Sequence, residues 1–143
     1  MADHKLTLSL LSGTFAVCRL DPSEGVPAWA TGGPLLSLTR TADELSVVCR
    51  QDVVPESVLC EPGWRCLRVV GTLDFSLVGV LTSLLMPLAE AGVSVFTLST
   101  FDTDYVLVKE TDLERAVEAL RRPGHSVRPE GLADRDKEWG VKI

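Results

Sequence analysis

Histidine is scarce in this chain of 143 residues, with only His4 and His125, and its four cysteines, Cys18, Cys49, Cys60 and Cys66, form no C-x-x-C pair. A zinc centre needs Cys and His ligands at short fixed spacings, so no metal site is expected. No window reaches the roughly 18 apolar residues of a membrane span. The opening MADHKLTLSLLSGTF lacks the basic and apolar regions of a signal peptide. These absences predict a cytoplasmic chain with no membrane partner. Basic charge is also short: 14 Lys and Arg face 20 Asp and Glu, and the net charge of -6 repels a phosphate backbone, so no nucleic-acid partner is expected. No nucleophile–base pair or phosphate-cradling glycine loop is visible, which predicts a non-enzyme with no catalytic residues and no cofactor.

What is present suits a globular protein, because 45% of the residues are hydrophobic and 24% charged. Cys18 in FAVCRL, Cys49 in LSVVCR and Cys66 in WRCLRVV lie in β-like runs, where a free thiol packs as a small hydrophobe. Disulfides are not expected in the predicted compartment. Leu6, Leu8 and Leu10 alternate with Thr7 and Ser9, the period of a half-buried strand. With TFAVCRL after Ser12 and Gly13, they read as a hairpin. Three prolines and three glycines between Asp21 and Pro34 mark a loop, with a short helical turn at Pro27 to Ala30. LLSLTRT and ELSVVCR flank Ala42 and Asp43 as a second strand–turn–strand unit.

From Trp64 the pattern mixes strand and helix. WRCLRVVG is a strand that sets Cys66 and Arg68 opposite Leu67 and Val69. A helix is expected from a cap at Asp74 or Ser76 to Ala91, stopping at Gly92. VSVFTLST and DYVLVKE are strands joined by FDT, and Thr111 with Glu114 forms a capping box for a second helix ended by Pro123-Gly124. A short last strand is expected around Ser126 to Arg128. The order strand, helix, strand, strand, helix, strand is that of a ferredoxin-like sheet with two helices on one face. The first helix is apolar on more than one face, with Glu90 its only ionised side chain between Ser76 and Gly92. A helix on a single sheet keeps a polar face, so this one is expected to meet a second module or a second subunit. Pro87 should bend it unless a neighbour satisfies the carbonyl freed near Ser83.

The run GTLDFSLVGVLTSLLMPLAEAGVSVFTLSTFDTDYVLVKETDLERAVEAL resembles an ACT domain, the βαββαβ module of amino-acid-binding regulators. DFSLVGVL, PLAEAGVSV and STFDTDYVLV are similar to the subgroup that includes the CASTOR arginine sensors and the paired ACT modules of aspartate kinases. The resemblance implies an α+β fold: a ferredoxin-like ACT module over residues 63–128, preceded by a strand-rich ACT-like module over residues 1–62. Residues 129–143 show no period and read as a polar tail with Trp139 as a docking point. The resemblance further implies a ligand between modules, touching the loop from first strand to first helix and the end of the second strand. Those positions are Thr72, Asp74 and Ser76, and Ser99, Thr100, Phe101, Asp102 and Asp104.

In the arginine sensor Asp74 is replaced by glycine, a departure at the ligand's side of the loop. A helix N-terminus suits an α-carboxylate, and Asp74 and Asp104 suit an ammonium or a cationic side chain. Asp74 and Ser76 equally suit helix caps, Asp102 and Asp104 suit a tight turn, and Phe101 suits the core. Trp29 and Trp64 read as packing residues. The functional expectation is a non-catalytic, allosteric regulatory protein, a homodimer that binds an amino acid or similar small molecule at a module interface. The alternative is a ligand-free dimerisation module acting through a protein partner.

Overall fold

The structure is a computed structural model that describes residues 5–71 and 78–130. Its chain divides into two compact units, one of residues 13–64 and one of residues 1–12 together with 65–143.

The unit of residues 13–64 is built on strands β2 (Phe15–Leu20), β3 (Ser37–Arg40), β4 (Leu45–Arg50) and the first half of β5 (Leu59–Val69). They lie in the order β3, β4, β2, β5, with every neighbour antiparallel. The expected β3–β4 turn is closed by Thr41, whose N–H donates to the Glu44 carbonyl and whose Oγ1 accepts from the N–H groups of Asp43 and Glu44. Such a hydroxyl-closed turn is the reason threonine suits this place. Ala16, Cys18, Leu45, Val47 and Cys49 form the core, joined by Ala30 from a 3-10 turn at Ala28–Ala30 and by Trp29 packed against it. Gly13 enters β2 with a φ of +83°, and a Cβ there would come within 2.9 Å of the Arg50 side chain. Glycine meets both demands at once.

The other unit holds β1 (Thr7–Leu10), the second half of β5, α1 (Val80–Glu90), β6 (Val95–Ser99), β7 (Asp104–Lys109), α2 (Leu113–Arg121) and β8 (Ser126–Pro129). From β5 onward this is the ferredoxin-like order expected from the sequence, and the fold is α+β. Its sheet runs β6, β7, β5, β1, β8. The hairpin expected between the first two strands does not form. β1 pairs antiparallel with β5, placing Leu8 opposite Val69, and parallel with β8, placing Leu8 opposite Val127.

Residues 5–12 therefore pack in the same unit as 65–130, whereas the sequence reading groups residues 1–62. Its boundary at 62/63 falls inside β5, and the compact units divide at 64/65. Local alternation identifies a strand but carries no information about its neighbour. Pro129 lies in β8, and Glu130 donates its N–H to Leu10 and accepts one from Ser12. The remainder of the expected tail, with Trp139, lies outside the described residues.

Leu8, Leu67, Val69, Val106, Val108 and Val127 face the helices, where they meet Leu84, Leu88, Ala116, Ala119 and Leu120. Cys66 and Arg68 stand on the opposite face, as the strand period predicts. α1 begins at Val80 behind Gly79, whose φ of +82° breaks the helical path, and no side chain caps it. The predicted start at Asp74 or Ser76 is thus corrected, and both residues lie outside the described ones.

The capping box at Thr111 is also absent. Residues Glu110–Asp112 form a 3-10 turn that leads into α2, Asp112 takes the N-cap position without a side-chain cap bond, and its carboxylate pairs instead with Arg115 at 2.6 Å. α1 buries the stripe Val80, Leu84 and Leu88 and leaves Leu81 and Leu85 half-buried and Met86 55% exposed.

Pro87 lacks the N–H that would bond the Ser83 carbonyl. His125 takes that place: its Nδ1 accepts the Leu6 N–H at 3.0 Å, so its Nε2 bears the proton and donates to Ser83 O at 3.1 Å. The ring is 5% exposed, which leaves water no access to replace it. His125→Ala is expected to lower stability by about 2–4 kcal/mol in urea unfolding, since two buried polar groups lose their partner. Pro87→Ala in that background should recover about 1 kcal/mol by restoring the helical N–H. A His125→Ala chain as stable as the parent would refute the bridge.

Candidate functional site

The expected ligand contacts at Ser99, Thr100, Phe101, Asp102 and Asp104 gather at one end of the β6–β7 hairpin. Ser99 and Asp104 are the last paired residues of the two strands, and the Ser99 Oγ donates to Asp104 Oδ1 at 2.7 Å. Between them the turn is closed three ways. The Thr100 N–H and Oγ1 both donate to the Thr103 carbonyl, at 2.9 and 3.1 Å, and the Thr103 N–H donates back to Thr100 Oγ1 at 3.3 Å. At the tip of the turn Phe101 is 79% exposed, with Asp102 exposed beside it. Phe101 is therefore not a core residue.

Thr103 is the member that the sequence reading missed. It is 6% exposed, and its Oγ1 donates to the carbonyl of Val69 at 2.7 Å. Val69 ends β5, and the chain passes through Gly71, at a φ of +96°, into residues 72–77. One hydroxyl thus fastens the hairpin end to the point where the strand-to-helix connection departs. Thr72, Asp74 and Ser76, the other expected contacts, lie in that connection, outside the described residues. Within FDT, Thr103 reads only as a turn residue; its signal is an unmet strand-end carbonyl, which needs the sheet to be visible.

The chemistry of the hairpin end is acceptor-rich, with two carboxylates and three hydroxyls on six consecutive residues. Such a set takes ammonium or guanidinium donors. Nearby on the helix-free face, burial pushes the Tyr105 phenol above its ordinary value; the Arg68 guanidinium opposes that rise, while Cys66 and Asp102 add to it. The first turn of α1 contains no acidic side chain and no side-chain cap, so its N–H groups face no carboxylate of their own helix turn. Among the described residues no group of three or more His, Cys, Asp or Glu is arranged to hold a metal ion. No helix among them is long and apolar enough to cross a membrane.

The ACT domain family matches residues 59–122, and a second family, described as an N-terminal domain, matches residues 13–57. The Rattus norvegicus protein named cytosolic arginine sensor for mTORC1 subunit 1 is 36% identical over 74 residues, which are 51% of this chain and 21% of that protein. The chain thus spans about a fifth of the length of that curated relative. A crystal structure of a protein from Agrobacterium tumefaciens superposes with a TM-score of 0.84 at 42% identity, covering 89% of this chain and 95% of that one. The regulatory subunit of aspartate kinase from Thermus thermophilus shares the fold, with a TM-score of 0.61 at 11% identity over 85% of this chain and 99% of that one. Residues 59–122 thus carry an ACT domain, and the Thermus thermophilus subunit supports the fold alone.

Proposed function

We propose that this chain is a non-catalytic regulatory protein that binds an amino acid at its ACT unit. The observation that carries this reading is the Thr103 hydroxyl bond to Val69, which holds the acceptor-rich hairpin end against the start of the strand-to-helix connection. In this reading Asp102 and Asp104, with Ser99 and Thr100, receive the ligand's ammonium or cationic side chain. The uncapped first turn of α1 receives its α-carboxylate. Thr72, Asp74 and Ser76 supply the remaining wall, and Phe101 covers the ligand from the turn. The relative named an arginine sensor supports an amino acid as the ligand class, and its name supports a cytosolic location. The chain works as a homodimer, with the half-buried Leu81 and Leu85 and exposed Met86 of α1 available to a second subunit. Ligand binding shifts the balance between two arrangements by its differential affinity for them.

A thermal-shift panel of the twenty amino acids at millimolar concentration tests this directly. A ligand at a hundred times its Kd adds about 2.7 kcal/mol. At roughly 2–4 °C per kcal/mol for a chain of this size, the midpoint rises by about 5–10 °C. One or a few amino acids should do this, and a flat response across all twenty would sink the reading.

Asp104→Ala should abolish the shift while leaving the oligomeric mass in light scattering unchanged. The exposed α1 residues favour a second reading, a ligand-free dimerisation module, and under it the same variant changes nothing. Thr103→Val, which keeps the shape but strips the hydroxyl from the Val69 carbonyl, should cost about 1–3 kcal/mol in unfolding. It should also weaken the ligand at least tenfold in calorimetry. Unaltered affinity would show that the hairpin end does not need this anchor.

A further inference from the structure

Three of the four free thiols meet in the unit of residues 13–64. Cys18 of β2 and Cys60 of β5 are direct cross-strand partners, and Cys49 of β4 pairs with Ala16, two residues along β2 from Cys18, on the other side of that strand. Directly opposed residues of antiparallel strands have Cα atoms about 4.5–5.5 Å apart. That spacing falls inside the roughly 4.4–6.8 Å over which a disulfide closes without moving the backbone. Cys49 and Cys60 are both near enough to Cys18 to add to the rise of its thiol. Access differs among the four: Cys18, Cys49 and Cys66 are buried, and Cys60 is partly exposed.

We propose that Cys18 and Cys60 are a thiol-oxidation site that hydroperoxides convert reversibly to a disulfide. The Cys60 sulfur attacks one peroxide oxygen, the O–O bond breaks, and the alcohol (water, for hydrogen peroxide) leaves with the thiol proton, giving Cys60 sulfenic acid. The Cys18 sulfur then attacks the Cys60 sulfur, the S–O bond breaks, and hydroxide departs as water with the Cys18 proton. Two thiols together give up two electrons and two protons, and the peroxide is reduced to alcohol and water. Burial, reinforced by Cys49 and Cys60, pushes the Cys18 thiol up to about 12, which makes it a slow nucleophile toward an oxidant in solution. The division of labour follows: Cys60 meets the oxidant, and Cys18, held opposite, captures the product before a second oxidation.

Treatment of the folded chain with hydrogen peroxide, alkylation of remaining thiols after unfolding, and peptide mass mapping test the site. The main intramolecular product should be a Cys18–Cys60 linked peptide pair, lighter by two hydrogens and restored by dithiothreitol, with Cys66 still free. Cys49→Ala should keep that product, and Cys60→Ser and Cys60→Ala should each remove it. A main product linking Cys18 to Cys49, Cys60 carried to sulfinic acid with Cys18 free, or four unmodified thiols would each overturn the proposal.

Discussion

Strand β1 is hydrogen-bonded along both of its edges, to β5 on one side and β8 on the other, and the ACT unit depends on that double pairing. Without β1 the two flanking strands would face each other across an empty row, and each would expose a line of unpaired N–H and C=O groups. The same strand carries Leu8, fully buried among Leu67, Val69, Leu84 and Leu88, a burial worth roughly 1.5–3 kcal/mol. His125 extends the dependence to the helix layer. Its ring joins the β1 backbone at Leu6 to the α1 backbone at Ser83, and so the gap left by Pro87 becomes a cross-link between layers. The last turn of α2 joins in, since Arg121 donates to the Val127 carbonyl of β8.

The hairpin end gains its definition from this sheet. β7 borders β5 in the order that β1 helps to hold, and Thr103, one residue ahead of β7, reaches the carbonyl that closes β5. A turn fixed by its own hydroxyls and by one buried tertiary bond is pre-organised, so less ordering opposes a ligand that docks there. Exposed Phe101 and Asp102 at the tip, and half-buried Asp104 below them, give that rigid end an apolar plate beside acceptors.

The cysteines show how residues of one chemical type come to differ. Cys66 sits alone in the ACT unit, and burial raises it to about 12 with little relief from Arg68. Cys18 and Cys49 are as deeply buried but have each other and Cys60 for neighbours. Packing as small hydrophobes, the role read from their β-like runs, describes buried Cys18, Cys49 and Cys66. The cross-strand register adds a second property to one pair, because it supplies a partner at bonding distance.

Much of the fold was legible in the sequence because strand period, helix stops and turn chemistry are local. Leu67 and Val69 alternate against Cys66 and Arg68, Ala42 and Asp43 mark a turn, and the βαββαβ order and the ACT resemblance both follow from short runs. The FDT turn between the two strands was legible for the same reason, and the resemblance singled out Ser99 to Asp104 as expected contacts. The start of α1 was not, because Asp74 and Ser76 are good caps by type, while Gly79 sets the boundary through a backbone conformation that type alone does not dictate. The neighbour of β1 was not legible either, nor were the acceptor for Thr103 and the bridge made by His125. Each joins groups more than thirty residues apart, His125 to Leu6 across 119 positions. Local pattern is enough to place most of the strands and helices and the turn that gathers the acceptors. Which backbone groups meet is settled by packing across the sheet and helices, because a hydrogen bond is satisfied by whichever partner comes within about 3 Å, and no local pattern records that choice.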